Sequence, residues 1–143
     1  VDAVADGTVD AVATDHAPHA SDEKERGFVD APFGVVGLAT ALAAVLRLMH
    51  DDVISDVRAV ELLTSGPARV LRRSGELGPL VGPRAPANLC LVDPEQEWVV
   101  TPDSLHGRSK NSAFLGQTFR GRVVATFLRG RLRYTQMDGP TFP

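Results

Sequence analysis

Thr14-Asp15-His16-Ala17-Pro18-His19 places an acid and two histidines where an apolar run stops. The run before it, Val9-Asp10-Ala11-Val12-Ala13, is short and apolar enough to predict a buried strand, with Asp15 at or just past its C-terminal end. With a period of two, Ala11, Ala13 and Asp15 share one face. Two small side chains leading to a carboxylate suit a crowded interior, where bulk would block the approach to whatever the carboxylate holds. Pro18 keeps Ala17 out of helical geometry, which puts His16 and His19 on an irregular loop above the strand. Read alone, an acid and two nearby histidines are more often a capped loop than a metal site.

Outward from that stretch, residues 20–37 carry Asp22, Glu23, Lys24, Glu25 and Arg26, then Phe28, Ala31-Pro32-Phe33-Gly34 and Gly37, and read as a long loop, a lid or a solvated connector. Gly34 allows close backbone approach to a ligand or a positive φ. Leu38, Ala41, Leu42, Val45, Leu46 and Met49 recur at helical spacing and predict a helix that packs on a sheet. A second helix is expected from an N-cap at Ser55 to Leu63, stopping at Gly66-Pro67, and a short third from Ala68 to Leu71. Gly75, Gly78, Pro79, Gly82, Pro83 and Pro86 then mark a linker or turn-rich approach to a new layer. Strand-like runs follow at Leu89 to Val92 (ended by Asp93-Pro94), Trp98 to Val100, and Val123 to Leu128, which turns at Arg129-Gly130 into Leu132 to Tyr134. A short helix is predicted at Thr101-Pro102-Asp103.

Composition sets limits. The chain has 143 residues, 43% of them hydrophobic, which suffices for the core of one ordinary domain. A net charge of −3 argues against general nucleic-acid affinity, and no apolar run approaches membrane-spanning length. Cys90 sits within Leu89-Cys90-Leu91-Val92 and is expected to be a buried, reduced thiol of a cytoplasmic protein; one cysteine builds neither a disulfide framework nor a thiolate zinc site. The chain starts at Val1 a few residues before the Asp15 strand, as the tail of something longer would.

The residues resemble a family. Thr14-Asp15-His16-Ala17-Pro18-His19, Glu23-Lys24, Phe28, Ala31-Pro32-Phe33-Gly34 and Gly37-Leu38 are similar to the C-terminal part of class I dihydroorotases of the amidohydrolase superfamily. Gly66-Pro67-Ala68-Arg69, Ala87-Asn88-Leu89, Asp93-Pro94, Trp98, the run from Lys110 to Gly116 and Gly121-Arg122-Val123-Val124 resemble that family's closing segments in the same order. Ala39 departs from the family's usual glutamate, and Gly66 from the asparagine that commonly precedes the proline.

The resemblance implies the last strand and helices of an α/β (β/α)8 TIM barrel over residues 1–74, followed over 75–143 by strands of a small β-sandwich with a short helix and closing hairpin, incomplete on its own. It implies zinc-dependent, reversible cyclisation of N-carbamoyl-L-aspartate to L-dihydroorotate in pyrimidine synthesis. By motif position Asp15 is the catalytic, metal-contacting aspartate, His19 holds the substrate carboxylate, and the backbone around Gly34 contacts the pyrimidine ring. Adjacent residues of an extended chain point oppositely, so His16 is expected to support the site through a hydrogen bond rather than bind metal. The family's other zinc ligands, one or two ions' worth, lie upstream of Val1, so this segment alone is expected to be inactive and to need the N-terminal half of the barrel. A homodimer is the expected assembly, with aspartate transcarbamoylase as a further partner.

Two other functions compete. Another cyclic amidase, an allantoinase or hydantoinase, shares the barrel and an aspartate here, though Ala17-Pro18-His19 favours dihydroorotase. A non-catalytic scaffold for aspartate transcarbamoylase is the other, and the retained Asp15 and His19 argue against it. The remaining groups have plainer roles. His50 suits a helix C-terminus, and His106, Arg108 and Lys110 form a basic loop that is solvated or touches a lid or partner. Arg120, Arg122, Arg129, Arg131 and Arg133 belong to a half-exposed sheet, and Trp98, Phe114 and Phe119 to the core.

Overall fold

The computed structural model describes residues 1–77 and 85–136, in the order α1 (Asp2–Ala5), α2 (Ser21–Lys24), α3 (Ala41–His50), α4 (Asp56–Leu63), α5 (Ser65–Val70), β1 (Leu89–Val99), β2 (Thr118–Leu128) and β3 (Arg131–Thr135). Gly78, Pro79, Gly82 and Pro83 of the expected linker lie outside the described residues. No helix of the described residues is long and apolar enough to cross a membrane.

The longest helix among the described residues, α3, joins two apolar clusters because its apolar face is wide. Ala43 packs with Val36, Val100, Leu105 and Phe119, against which Trp98 and Phe114 rest. Val45 and Leu46 pack instead with Ile54, Ala59 and Leu62. Ser55 caps α4, its Oγ accepting from Arg58 N at 3.2 Å, as the sequence predicts; such a cap is worth about 1 kcal/mol. The aromatic residues expected in the core are there, with Phe114 and Phe119 edge to face at 5.1 Å between ring centroids.

The strands form one antiparallel sheet in the order β1-β2-β3. Arg129 (φ 51°) and Gly130 (φ 72°) make the tight turn between β2 and β3 in left-handed geometry, which matches strand twist. Gly121, inside β2 at φ 99°, is a close-approach site: a Cβ there would stand 2.3 Å from Leu46 Cδ1, so α3 could not lie so near the sheet over any other residue.

Several expectations are corrected. Residues 9–13 form no strand, because a strand needs a ladder partner and no described strand lies beside them. The segment is pinned to α4 instead, Val12 N donating to Leu62 O at 3.0 Å and Arg58 donating to Val9 O. Asp15 has φ 45°, so the period-two alternation that put it on the face of Ala11 and Ala13 stops before it. The 20–37 loop holds one helical turn, α2. α4 ends at Leu63 as expected, with the break at Thr64, and Pro67 lies in the first turn of the next helix, where proline is tolerated, but α5 begins at Ser65, earlier than the expected Ala68. Gly66 itself packs on the 9–13 segment, since a Cβ there would meet Asp10 O at 2.1 Å.

Asp93-Pro94 does not end a strand. β1 runs through it by an irregularity between Asp93 and Glu97, where a missing N–H is harmless and Asp93 Oδ1 accepts from Glu95 N (2.9 Å) and Gln96 N (3.1 Å). Thr101 to Ser104 makes a single turn closed by reciprocal side-chain bonds of 3.0 and 3.2 Å, with no helical apolar period beyond it to propagate. Cys90 is exposed, with Sγ 3.5 Å from Thr126 Oγ1; an apolar run does not reveal that no described element covers that stretch of sheet.

Candidate functional site

The 14–19 stretch and the 32–37 backbone are built against each other. Ala17 N donates to Val35 O at 2.9 Å, and glycines allow the approach. A Cβ on Gly34 (φ 95°) would stand 2.6 Å from Ala17 Cβ, and one on Gly37 would stand 2.8 Å from Thr14 Cβ. Both positions therefore exclude any side chain.

Asp15 is exposed and occupies left-handed backbone, a region that aspartate and asparagine tolerate better than other non-glycine residues. Its oxygens have no protein partner among the described residues. His16 is half-buried, and its Nδ1 accepts from Gly37 N at 3.1 Å and more weakly from Leu38 N at 3.4 Å. An accepting Nδ1 fixes the neutral ring with its proton on Nε2. The ring thereby ties the aspartate loop to the entry of α3.

His19 donates from Nε2 to Phe33 O at 2.9 Å, while Nδ1 faces Glu23 Oε2 at 3.7 Å. To donate to a ligand carboxylate, the ring must carry a proton on Nδ1 or release Phe33. Lys24 Nζ donates to Pro32 O at 2.6 Å and to Gly34 O at 3.1 Å, and Asn111 Nδ2 reaches Gly34 O at 3.3 Å. Three consecutive carbonyls, those of Pro32, Phe33 and Gly34, are thus each held by a side chain. Lys24 and Asn111 both belong to stretches that carry the family resemblance, yet nothing in the sequence assigns either of them a role. Their partners are backbone oxygens, which leave no signature in a sequence.

His16, His19 and Lys24 line a cleft of about 920 Å³ together with Arg108, Ser109 and Lys110, and Asp15 is not among its lining residues. The basic loop therefore looks onto the candidate site. Lys110 Nζ donates to Leu105 O, and Val36 N donates to Asn111 O at 2.8 Å, which docks the basic loop on the glycine-bearing segment.

His50, by contrast, is taken up by structure: its Nε2 donates to Pro94 O at 3.0 Å and Nδ1 lies 3.9 Å from Glu95 Oε1, joining α3 to the irregularity in β1. Arg122 stacks over Trp98, its guanidinium carbon 5.2 Å from the ring centroid.

The zinc that the resemblance implies does not fit the described residues by themselves. Among them no group of three His, Cys, Asp or Glu side chains stands where it could hold an ion. Asp15 offers one open carboxylate, and one donor is not a centre.

No family model matches the chain. The dihydroorotase of Syntrophotalea carbinolica is 42% identical over 135 residues, covering 94% of this chain and 31% of its own length. That of Geobacter metallireducens is 39% identical over 133 residues, covering 93% and 31%. The L-hydantoinase (dihydropyrimidinase) from Arthrobacter aurescens superposes at a TM-score of 0.83 with 26% identity over 96% of this chain and 31% of that one. The dihydropyrimidinase from Brevibacillus agri, 21% identical, gives 0.83 over 92% and 29%, a likeness of fold alone. The chain spans about 30% of the length of the curated relatives it matches.

Proposed function

We propose, for a chain that matches the C-terminal portion of dihydroorotases and has the fold of the corresponding part of the amidohydrolase barrel, that it supplies the proton carrier and one wall of the substrate cradle for interconversion of N-carbamoyl-L-aspartate and L-dihydroorotate. The observation that carries this reading is Asp15 itself: an exposed carboxylate with no protein partner among the described residues, on left-handed backbone in a loop fixed by His16 and by the Gly34 and Gly37 contacts.

In the ring-opening direction, water adds to the ring carbonyl carbon and the ring C–N bond breaks. Asp15 takes one proton of the water and delivers it to the departing nitrogen; the water's second proton leaves the newly formed carboxylic acid, so the ring monoanion plus water becomes the open ureido dicarboxylate and one released proton. Closure runs the same transfers backwards. A neutral amide at position 15 could not accept the proton. His19 anchors a substrate carboxylate through a charge-assisted hydrogen bond, and the backbone at Gly34, held by Lys24 and Asn111, lies against the ring.

The matched families are metal-dependent amidohydrolases. In this reading zinc would belong to the complete barrel, with Asp15 giving one of its ligands, and the whole enzyme is a homodimer; a cytoplasmic location is the expectation that the single cysteine raised.

The test is substrate choice by a protein with the whole barrel that carries this segment. Purified, zinc-loaded enzyme should interconvert N-carbamoyl-L-aspartate and L-dihydroorotate and leave hydantoin and allantoin untouched. Turnover of hydantoin or allantoin in preference to dihydroorotate would replace the reading with that of another cyclic amidase. Failure to turn over any of them would favour a scaffold.

A further inference from the structure

A second pocket, of about 260 Å³, opens between the start of α3 and the sheet and shares no lining residue with the cleft of His16 and His19. Leu42 of α3 and the rings of Trp98, His106 and Tyr134 line it, the last two edge to face with centroids 6.0 Å apart. Its one permanent charge is Arg122, and no carboxylate is among its lining residues. Arg122 is half-buried, yet it has neither an ion pair nor a hydrogen-bond acceptor for its guanidinium among the described residues. Asp93 stands opposite it in the strand register, but Asp93 Oδ1 accepts from Glu95 N and Gln96 N instead.

What Arg122 does have is the Trp98 ring, with its guanidinium carbon 5.2 Å from the centroid, and that indole is itself held by donation from Nε1 to Gly121 O at 3.1 Å. Stacking occupies the flat face of a guanidinium and none of its N–H groups, which lie in the plane. A stacked, partly desolvated fork of unused donors fits a carboxylate, which accepts two parallel hydrogen bonds from it. The volume falls just short of the roughly 300–1,000 Å³ of pockets that take drug-sized ligands, which limits the occupant to a single ring. Aromatic and aliphatic walls around that fork favour a flat, apolar body on the anion.

We propose that this pocket binds a small carboxylate carried on one flat ring, with the carboxylate on the Arg122 fork and the ring among Leu42, His106 and Tyr134. Neither Asp15 nor His19 takes part, so the site is independent of the dihydroorotase reading.

The probe is para-fluorobenzoate, with para-fluorobenzamide as its neutral counterpart, each titrated by fluorine NMR against the whole-barrel protein with and without saturating N-carbamoyl-L-aspartate. The benzoate should bind saturably with a Kd of about 1 mM or tighter, and the benzamide about tenfold more weakly. Arg122→Gln should weaken the benzoate about tenfold or more and leave the benzamide within about twofold. Ala39 lies on the exposed rim of the pocket, so Ala39→Leu should plug the entrance and weaken both probes while sparing the buried core, which keeps the test decisive if Arg122→Gln fails to fold. Saturating N-carbamoyl-L-aspartate should leave the benzoate Kd within about twofold, since the two pockets share no lining residue. Absence of saturable benzoate binding to wild type up to about 10 mM would overturn the proposal. So would equal affinity for benzoate and benzamide, or a benzoate affinity that survives Ala39→Leu unchanged. Displacement of the benzoate by N-carbamoyl-L-aspartate, with no effect of either substitution, would overturn it by placing the anion in the substrate cradle.

Discussion

Replacing Lys24 with methionine removes an ammonium while keeping an unbranched stem, and so isolates the clamp on the 32–34 backbone. Lys24 Nζ donates to Pro32 O at 2.6 Å and to Gly34 O at 3.1 Å. Hydrogen bonds from a charged donor are worth about 1.5–3 kcal/mol each. The site is half-buried, and water can replace part of what is lost, while Asn111 still reaches Gly34 O at 3.3 Å. The expected net loss is therefore about 1–2 kcal/mol for the pair. It should appear locally, because the clamp holds a loop and not the α3 core.

Two amides report on it: Ala17 N, bonded to Val35 O at 2.9 Å, and Val36 N, bonded to Asn111 O at 2.8 Å. In the whole-barrel protein their hydrogen exchange should quicken about 5- to 30-fold in Lys24→Met, the factor that 1–2 kcal/mol implies. Ala44 N, bonded to Thr40 O inside the start of α3, should exchange as before. Lys24→Arg should restore part of the protection. Unchanged exchange at Ala17 and Val36 would refute the clamp, and a uniform acceleration that includes Ala44 would refute its local character.

Two further predictions concern packing and charge. Gly34→Ala combines a residue at φ 95° with a Cβ 2.6 Å from that of Ala17, and should destabilise the loop by about 2–4 kcal/mol; limited proteolysis between Ala20 and Val35 should accelerate, and an unaltered cleavage rate would count against the close approach. Hydrogen bonds from Arg58 and then Arg69 hold the Glu61 carboxyl below its ordinary range. Since its folded-state pKa is depressed, the stabilisation is complete above the unfolded carboxylate pKa and is lost as pH falls through the lower, folded value. Glu61→Gln should therefore remove part of the acid-side fall in Tm; curves that differ by the same amount at every pH would show that the ionised form is not what the arginines favour.

The parts of this chain that were legible in the sequence are those with local causes. Ser55 caps its helix through an atom three residues away, and Arg129-Gly130 makes its turn by its own backbone preferences. The Thr14–His19 stretch was recognisable because several residue types at fixed spacing coincide. What was not legible depends on residues remote in the chain. Residues 9–13 look like a strand to any rule of alternation, yet pairing is decided by a neighbour, and α4 holds them instead. Pro94 looks like a terminator until the irregularity that absorbs it is seen. Arg108 is exposed, as a solvated basic loop would be, but that it shares a cleft with His16 and His19 is not written in the sequence. Gly66, a departure from the family pattern, is explained by the carbonyl of Asp10, 56 positions earlier, that any side chain would strike.

The central claim is that Asp15 carries the proton, and asparagine is the substitution that tests it most directly. Asparagine tolerates the left-handed backbone at φ 45° as aspartate does, so the loop should survive the change. In the zinc-loaded whole-barrel enzyme, Asp15→Asn should keep its Tm within about 1 °C while kcat for dihydroorotate falls by about 10³-fold or more, as loss of a positioned acid–base group requires. A kcat within a few-fold of wild type, in a variant that retains its metal and its Tm, would contradict the account.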